Sequence, residues 1–340
     1  MQNLISFILT LSIICPVYTY AVYPIILTVL PKKKRLFSET YQISASIITF
    51  EKEKEKLNKL KKCVEHCDGI IKKIDIIQIK QIKELNKYIA STDTNILIFM
   101  NGAEEYELHA VRELLIPFSD EKIGCVVGMQ RRLPDENGIF QDSAYWKYEN
   151  YVRYKESERG CVSGANNTIY AVRRSLVPPI PEGINNLGFY ISMWVTQRGW
   201  DIYFEPKAVA YEKAECSEGI HFIEHVEEAE EYWKLLAVFW RMLLPVKGSF
   251  TYVSHRVMKW IAPYCFIFLF VCSIILSYRS NLFMVLTVLQ VMGYIIISVW
   301  IKWKPESNGK IAKILDILSY FLILNISIFI GSLKIKSIKD

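Results

Sequence analysis

The sequence predicts an α/β domain with a mainly parallel sheet, tied to a membrane by one apolar helix before it and three after it. Three observations carry this reading. Uncharged apolar runs of membrane-spanning length lie at both ends of the 340 residues. Between them, short β-branched runs alternate with charged stretches of helical period, the pattern of a sheet covered by helices. The chain is also 51% apolar, more than a soluble domain of this size requires, and the surplus sits at the two ends.

The elements follow in order. Residues 4–30 hold no charged side chain and reach about 27 positions, enough to cross a ~30 Å hydrocarbon layer despite Pro16 and Pro24. A cleaved leader is the rival reading, but the start is not basic, no small-x-small site is visible, and the run outlasts an ordinary leader core. Runs at 260–277, 282–301 and 314–333 each approach the ~20 residues of a spanning helix. Lys32, Lys33, Lys34 and Arg35 follow the first run, and Lys302, Lys304, Lys310 and Lys313 separate the last two. The positive-inside rule therefore predicts a multi-pass protein of the cytoplasmic (plasma) membrane with its central domain in the cytosol. Lys334, Lys336 and Lys339 run against that rule, because an even number of crossings puts them outside. The expected division is 1–31 as a membrane helix, 38–215 as the cytosolic domain, 216–258 as amphipathic interface helices, and 259–340 as three membrane helices.

The net charge of +6 comes mostly from these juxtamembrane lysines, which points to membrane lipids and their anionic headgroups as partners. No nucleic-acid motif is present, so no nucleic acid is expected. The eight cysteines contain no Cys-x-x-Cys pair and read as free thiols of a reducing compartment.

In the central part, residues 44–50 read as a strand and 51–67 as a lysine- and glutamate-rich helix. A strand at 74–79 leads to a helix ending at Ala90, and the nearly all-apolar 95–100 reads as a strand buried on both faces. A helix is expected at 106–118 with Leu108, Val111, Leu114 and Leu115 on one stripe. Residues 124–130 form a strand, 143–157 a tyrosine-rich helix whose aromatic spacing reads as a core stripe rather than a sugar-stacking face, and 168–173, 201–205 and 209–212 complete the sheet. Residues 218–244 read as a helix that begins acidic and ends apolar, with Trp233, Leu236, Phe239, Trp240 and Leu243 suited to a membrane interface.

A series of short segments then adds specificity. Ala90-Ser91 leads into Ile96-Leu97-Ile98-Phe99, followed by Pro117-Phe118-Ser119-Asp120, Val126-Val127-Gly128 and Tyr145-Trp146-Lys147-Tyr148-Glu149-Asn150. Further on come Gly164-Ala165-Asn166-Asn167-Thr168-Ile169-Tyr170-Ala171-Val172-Arg173-Arg174, Tyr203-Phe204-Glu205-Pro206-Lys207-Ala208, Ser254-His255-Arg256 and Tyr320-Phe321-Leu322-Ile323-Leu324-Asn325. In this order and spacing the chain resembles the membrane-bound family 2 glycosyltransferases, the group of hyaluronan, chitin and cellulose synthases. The resemblance implies a GT-A domain, a nucleotide-sugar donor, Mg²⁺ or Mn²⁺, and a glycan passed through the membrane helices. It also implies an acceptor side built from Gly164, Asn166, Tyr170, Arg173 and Arg174.

The catalytic positions depart from the family pattern. Where a metal-binding Asp-x-Asp or Asp-Ala-Asn cluster is implied, this chain has Asn101, Gly102 and Ala103, with Glu104 and Glu105 as surrogate candidates. A bridging divalent cation needs hard carboxylate oxygens, and none stands at 101–103. The implied general base, an aspartate before a helix, is replaced by Asn186, Leu187 and Gly188, and neither leucine nor glycine accepts a proton. The implied arginine motif of the interface helix is replaced by Glu227-Glu228-Ala229-Glu230-Glu231-Tyr232-Trp233, and the only echo of the Asp-Gly-Ser-x-Asp segment is Asp68-Gly69.

These readings predict a non-catalytic glycosyltransferase-like subunit working beside an intact glycosyltransferase or an export partner. The alternative is an active transferase that takes a nucleotide-sugar and Mg²⁺ or Mn²⁺ through Glu104, Glu105, Asp142 or Glu212. A zinc hydrolase built on His221, Glu224 and His225, spaced His-x-x-Glu-His, is a third reading. Cys63, His66 and Cys67 lack a fourth metal ligand and read as part of a solvated helix.

Overall fold

The computed structural model describes residues 2–39, 42–67, 70–133, 144–212, 218–303 and 309–334. These fall into two compact units. One carries the sheet, within Leu27–Cys216 and Ala237–Tyr252, and the other the apolar helices, within Met1–Ile26, Ser217–Leu236 and Val253–Lys336.

The sheet has seven strands: β1 (Ile43–Thr49), β2 (Ile71–Gln78), β3 (Ile96–Met100), β4 (Glu105–Tyr106), β5 (Ile123–Arg132), β6 (Ile169–Arg173) and β7 (Asp201–Glu212), in the order β2-β1-β3-β6-β5-β7-β4. All five residues of β3 are buried, as a central strand covered on both faces requires. At the edge, β2 turns Lys72 and Lys73 to solvent, charges that discourage pairing with another chain.

The sheet is mixed, which corrects the expectation of a mainly parallel one. β1 pairs in parallel with β2 and β3, and β5 with β7, but β6 runs antiparallel to both β3 and β5, and β4 is antiparallel to β7. Ile-Tyr-Ala-Val in β6 is apolar throughout, and an all-buried strand carries no mark of its direction. Residues 201–205 and 209–212 are one strand, not two. Gly128 of β5 faces Glu205 of β7 and the next residue, Met129, faces Val209, so Pro206, Lys207 and Ala208 form a bulge. A bulge is where a sheet accepts proline. It also explains Gly128, whose Cβ would lie 2.5 Å from the Ala208 carbonyl oxygen.

Two helices differ from expectation. The 106–118 segment opens as β4, and only Ala110–Leu115 is α-helical before a 3₁₀ turn at Ile116–Ser119. Val111, Leu114 and Leu115 are buried, whereas Leu108 is exposed. In Ala144–Ser157 the buried side is Glu149, Val152, Arg153, Glu156 and Ser157, while Tyr151 and Tyr154 are exposed with Lys155 over both rings. The inward face meets backbone donors rather than a greasy core: Glu156 accepts the Ser163 amide at 2.9 Å and Ser157 accepts the Phe204 amide at 2.7 Å.

Four helices, lying wholly or mostly in the other unit, are long and apolar enough to cross a membrane: Phe7–Val29, Ser249–Ser277, Asn281–Trp303 and Lys310–Leu333. In the first, Pro16 and Pro24 flank a π-helical stretch, Tyr18–Val22, as expected where proline removes an i→i−4 bond. The unit is held by aromatic and small-residue contacts. Tyr232 stacks on Trp260 at 5.4 Å, the Tyr18 hydroxyl lies 2.8 Å from Ser254 Oγ, and Gly331 lets its helix approach the backbone of Val226 and Glu230, where a Cβ would stand 2.8 Å from either. The Asn281–Trp303 helix fully buries no residue within the protein, and its exposed residues are mostly apolar.

Candidate functional site

Parallel β1 and β3 end side by side, and a donor-binding cleft is expected beyond their carboxyl ends. Register extends this edge: Met100 faces Ile169, and β7 runs to Glu212 beside Arg132. The residues here come from the β3 exit, the start of the Lys54–Glu65 helix, and the turn before β6.

Asn101 is the first residue past β3 and acts as a splice. Its Oδ1 accepts the Phe50 amide at 2.7 Å, and its own amide donates to the Thr168 carbonyl at 3.0 Å. It thus ties the exits of β1 and β3 to the entry of β6. Gly102 follows with φ of 73°, a left-handed conformation open to glycine at no steric cost, and Ala103 turns back into the core at 2% exposure.

Glu104 and Glu105 point to lysines. Lys56 Nζ lies 3.0 Å from Glu104, 3.9 Å from Glu53 and 4.0 Å from Glu51, and Lys59 Nζ is 3.8 Å from Glu105 and donates to the Glu104 carbonyl at 3.0 Å. The hydrogen bond to Glu104, with Coulomb help from Glu104, Glu51 and Glu53, outweighs partial desolvation and holds Lys56 above the ordinary lysine range. Glu212 accepts the Thr168 hydroxyl at 2.7 Å. Asp142 and Asp68-Gly69 lie outside the described residues.

These groups do not fit a divalent cation bridging two phosphates. Such an ion takes several hard oxygens. Here the one oxygen at 101 is engaged with the backbone, 102 and 103 offer none from a side chain, and the nearest carboxylate already faces an ammonium group. Among the described residues, no group of three or more His, Cys, Asp or Glu converges on a metal position.

The base position is equally committed. Asn186 caps the Leu187–Gln197 helix, its side chain accepting the Phe189 amide at 3.1 Å. Gly188 donates its amide to Asn167 Oδ1 at 2.8 Å, and a Cβ on it would lie 2.1 Å from the Asn166 carbonyl oxygen. A carboxylate-bearing side chain at 188 therefore requires the backbone to move.

The acceptor-side candidates are packed into the same frame. Gly164, at φ of 108°, lies under the Phe189 ring, where a Cβ would come within 2.4 Å. Asn166 Oδ1 accepts the amides of Thr168 and Ile169, and its Nδ2 donates to Gly128. Tyr170 is fully buried and stacks on Phe99 at 4.7 Å, and burial raises its pKa well above the usual phenol value. Arg173 donates to the carbonyls of Ile123, Phe118 and Asp120, and Arg174 to that of Ile89. Arg173 and Arg174 thus lie at the opposite end of β6 from Asn101.

For the zinc reading, the His221 side chain lies outside the described residues, and His225 Nδ1 is 3.6 Å from Glu228 with its ring edge on Tyr320. Cys63 donates to the Glu107 carbonyl and Cys67 to that of Cys63, and burial, reinforced by Glu107, pushes the Cys63 thiol up to about 11. Sequence reasoning missed Lys56 and Lys59. Their Glu-x-x-Lys and Glu-x-x-x-Lys spacing, Glu53 to Lys56 and Glu55 to Lys59, signals only a charged helix face.

The sequence matches no family model and no curated protein. Its architecture does have relatives. Over 98% of this chain and 98% of the other, it is similar to the mannosyltransferase PcManGT from Pyrobaculum calidifontis in complex with GDP-Man and Mn²⁺, with a TM-score of 0.67 and 11% identity. A match to GalNAc-T7 with UDP, GalNAc and Mn²⁺ covers 52% of this chain and 44% of that one at 15% identity, and its TM-score of 0.32 carries no argument. The fold is that of a GT-A-like glycosyltransferase, accompanied by helices apolar enough to span a membrane.

Proposed function

We propose that the chain is a family 2-like, membrane-anchored glycosyltransferase homologue that no longer transfers sugar and serves as a subunit beside an intact glycosyltransferase or export partner in polysaccharide synthesis. Its domain, within 38–215, would face the cytosol at the plasma membrane. The observation that carries the reading is the Lys56–Glu104 pair at the β3 exit, where a donor diphosphate and its metal would need free carboxylates. Asn101 spliced to Phe50 and Gly188 pressed against Asn166 support it, because each occupies a catalytic address with a backbone contact.

Calorimetric titration of the purified full chain with GDP-mannose, GDP and UDP, each with and without Mn²⁺, tests the reading. No metal-dependent binding is expected up to millimolar ligand. A metal-dependent micromolar affinity sinks the proposal and restores the active transferase. Affinity purification from native membranes should in turn recover a second glycosyltransferase that keeps its Asp-x-Asp and base motifs.

A further inference from the structure

At the opposite end of the sheet the charges reverse. Register puts Asp201, the first residue of β7, beside Ile123, and the Arg173 end of β6 beside the start of β3. Asp201 is 2% exposed at its side chain and takes three cations: Lys33 at 2.7 Å, Arg35 at 2.5 Å and Lys247 at 2.6 Å. Arg35 also reaches Asp120 at 2.7 Å. Around this knot open two adjoining cavities of about 390 and 360 Å³, sharing Lys33, Lys122 and Asp201 in their walls. Either has room for roughly a dozen waters.

The cavities are under-neutralised. Lys33, Lys34, Arg35, Lys122 and Lys247 line them against Asp120, Glu121 and Asp201, which leaves a surplus of two positive charges. Among the described residues, the ammonium groups of Lys34 and Lys122 have no ion-pair partner. Arg35 is 7% exposed at its side chain, yet its Nε is buried with no hydrogen-bond partner among those residues. That N–H is closed to solvent, so Arg35 serves the cavity through its charge rather than as a donor. Lys33 is also only four residues beyond Val29, the end of the first apolar helix, so the chain can carry it at most about 14 Å from that point.

We infer that this cavity is a binding site for a phosphate monoester dianion, held by Lys34 and Lys122, with Arg35, Lys33 and Lys247 adding positive charge at its edge. A phosphomonoester carries about two negative charges at neutral pH and matches the surplus. Its oxygens accept from several donors at once, and Lys34 and Lys122 are the lining cations not already paired with a carboxylate among the described residues. The three carboxylates oppose an anion, and Asp201 acts as the internal counter-charge that keeps Lys33, Arg35 and Lys247 gathered when the site is empty. The dianion belongs either to a lipid headgroup at the membrane surface or to a free phosphate.

The test uses the full chain in detergent and calorimetric titration with three probes: dihexanoyl phosphatidic acid, inorganic phosphate and dihexanoyl phosphatidylcholine. Saturable binding of phosphatidic acid at one per chain is expected, with no binding of the zwitterion. The Lys34→Gln/Lys122→Gln double variant should keep the wild-type melting temperature and bind phosphatidic acid about tenfold more weakly. Tighter binding of phosphatidic acid than of inorganic phosphate assigns the site to a lipid, and equal binding assigns it to the free ion. Arg35→Gln is avoided because Arg35 also braces Asp120 and Asp201. Absence of saturable binding to the wild type, equal affinity for phosphatidylcholine, or an unchanged affinity in the double variant overturns the inference.

Discussion

The two ends of the sheet use the same ions in inverse proportion. Beyond β3, Lys56 stands among Glu51, Glu53 and Glu104, with Lys59 beside Glu105; at the start of β7, Asp201 stands among Lys33, Arg35 and Lys247, with Asp120 on Arg35. The minority ion organises each cluster and the majority ion sets what it repels. A phosphate placed about 5 Å from an unneutralised carboxylate meets roughly 1 to 3 kcal/mol of repulsion per pair across effective dielectrics of 80 to 20. The end where the fold would place a nucleotide diphosphate is therefore the less hospitable of the two to phosphate. In this chain, fold and local charge point phosphate to opposite ends of the sheet.

The largest effect is expected from breaking the basic knot. Asp201→Asn leaves Arg35 and two lysines without their buried counter-charge and should destabilise the sheet unit by about 3 kcal/mol or more, read by denaturant unfolding. Acid should act on the same contact. Burial raises the Asp201 pKa, but hydrogen bonds from Lys247, Lys33 and Arg35 outweigh it and leave the group below the usual aspartate value. With the folded pKa depressed, the contribution is full above the unfolded value near 3.9 and is lost as pH falls through the folded one. Melting temperature should therefore drop more steeply below pH ~4 in the wild type than in Asp201→Asn, and parallel acid profiles would refute this.

Next in size is the base position. Gly188→Ala forces a methyl group toward the Asn166 carbonyl and should cost about 1 to 3 kcal/mol; Gly188→Asp should be at least as damaging and should not produce sugar transfer in a radiolabelled-donor assay. Asn101→Ala orphans the half-buried Phe50 amide and should lower stability by about 1 to 2 kcal/mol, with Asn101→Asp milder because an acceptor oxygen remains. The smallest change is expected at Lys56→Gln, within about 1 kcal/mol, since Glu53 and Glu104 are partly exposed. A larger loss there would mean that the acidic end depends on Lys56 as heavily as the basic end depends on Asp201.

Much of this was readable in advance, for identifiable reasons. β1 and β3 announce themselves because burial on both faces writes apolar runs, the four apolar helices because their uncharged runs have membrane-spanning length, and the replacements at 101–103 and 186–188 are visible as letters. The direction of β6 is hidden because Ile169 to Val172 would bury equally well either way round. Leu108 falls on the apolar stripe of 106–118 by spacing but not by burial, so the α-helix there is shorter than its pattern. The tyrosines of Ala144–Ser157 misled because aromatic spacing outweighed Glu149, Arg153 and Glu156, the residues that face inward. Neither charge cluster could be seen, since Asp201 meets partners 168 and 166 positions earlier. Spacing rules reach only along one helix or strand.

That separation along the chain also sets an order of events during synthesis. Lys33 emerges from the ribosome 168 residues before Asp201, an interval of roughly 8 to 34 seconds at 5 to 20 residues per second. Through that time Lys33 lacks Asp201, and Arg35 has only Asp120, which emerges 85 residues after it. The knot at the start of β7 is therefore late to close, since it needs Lys247 from further along the chain as well.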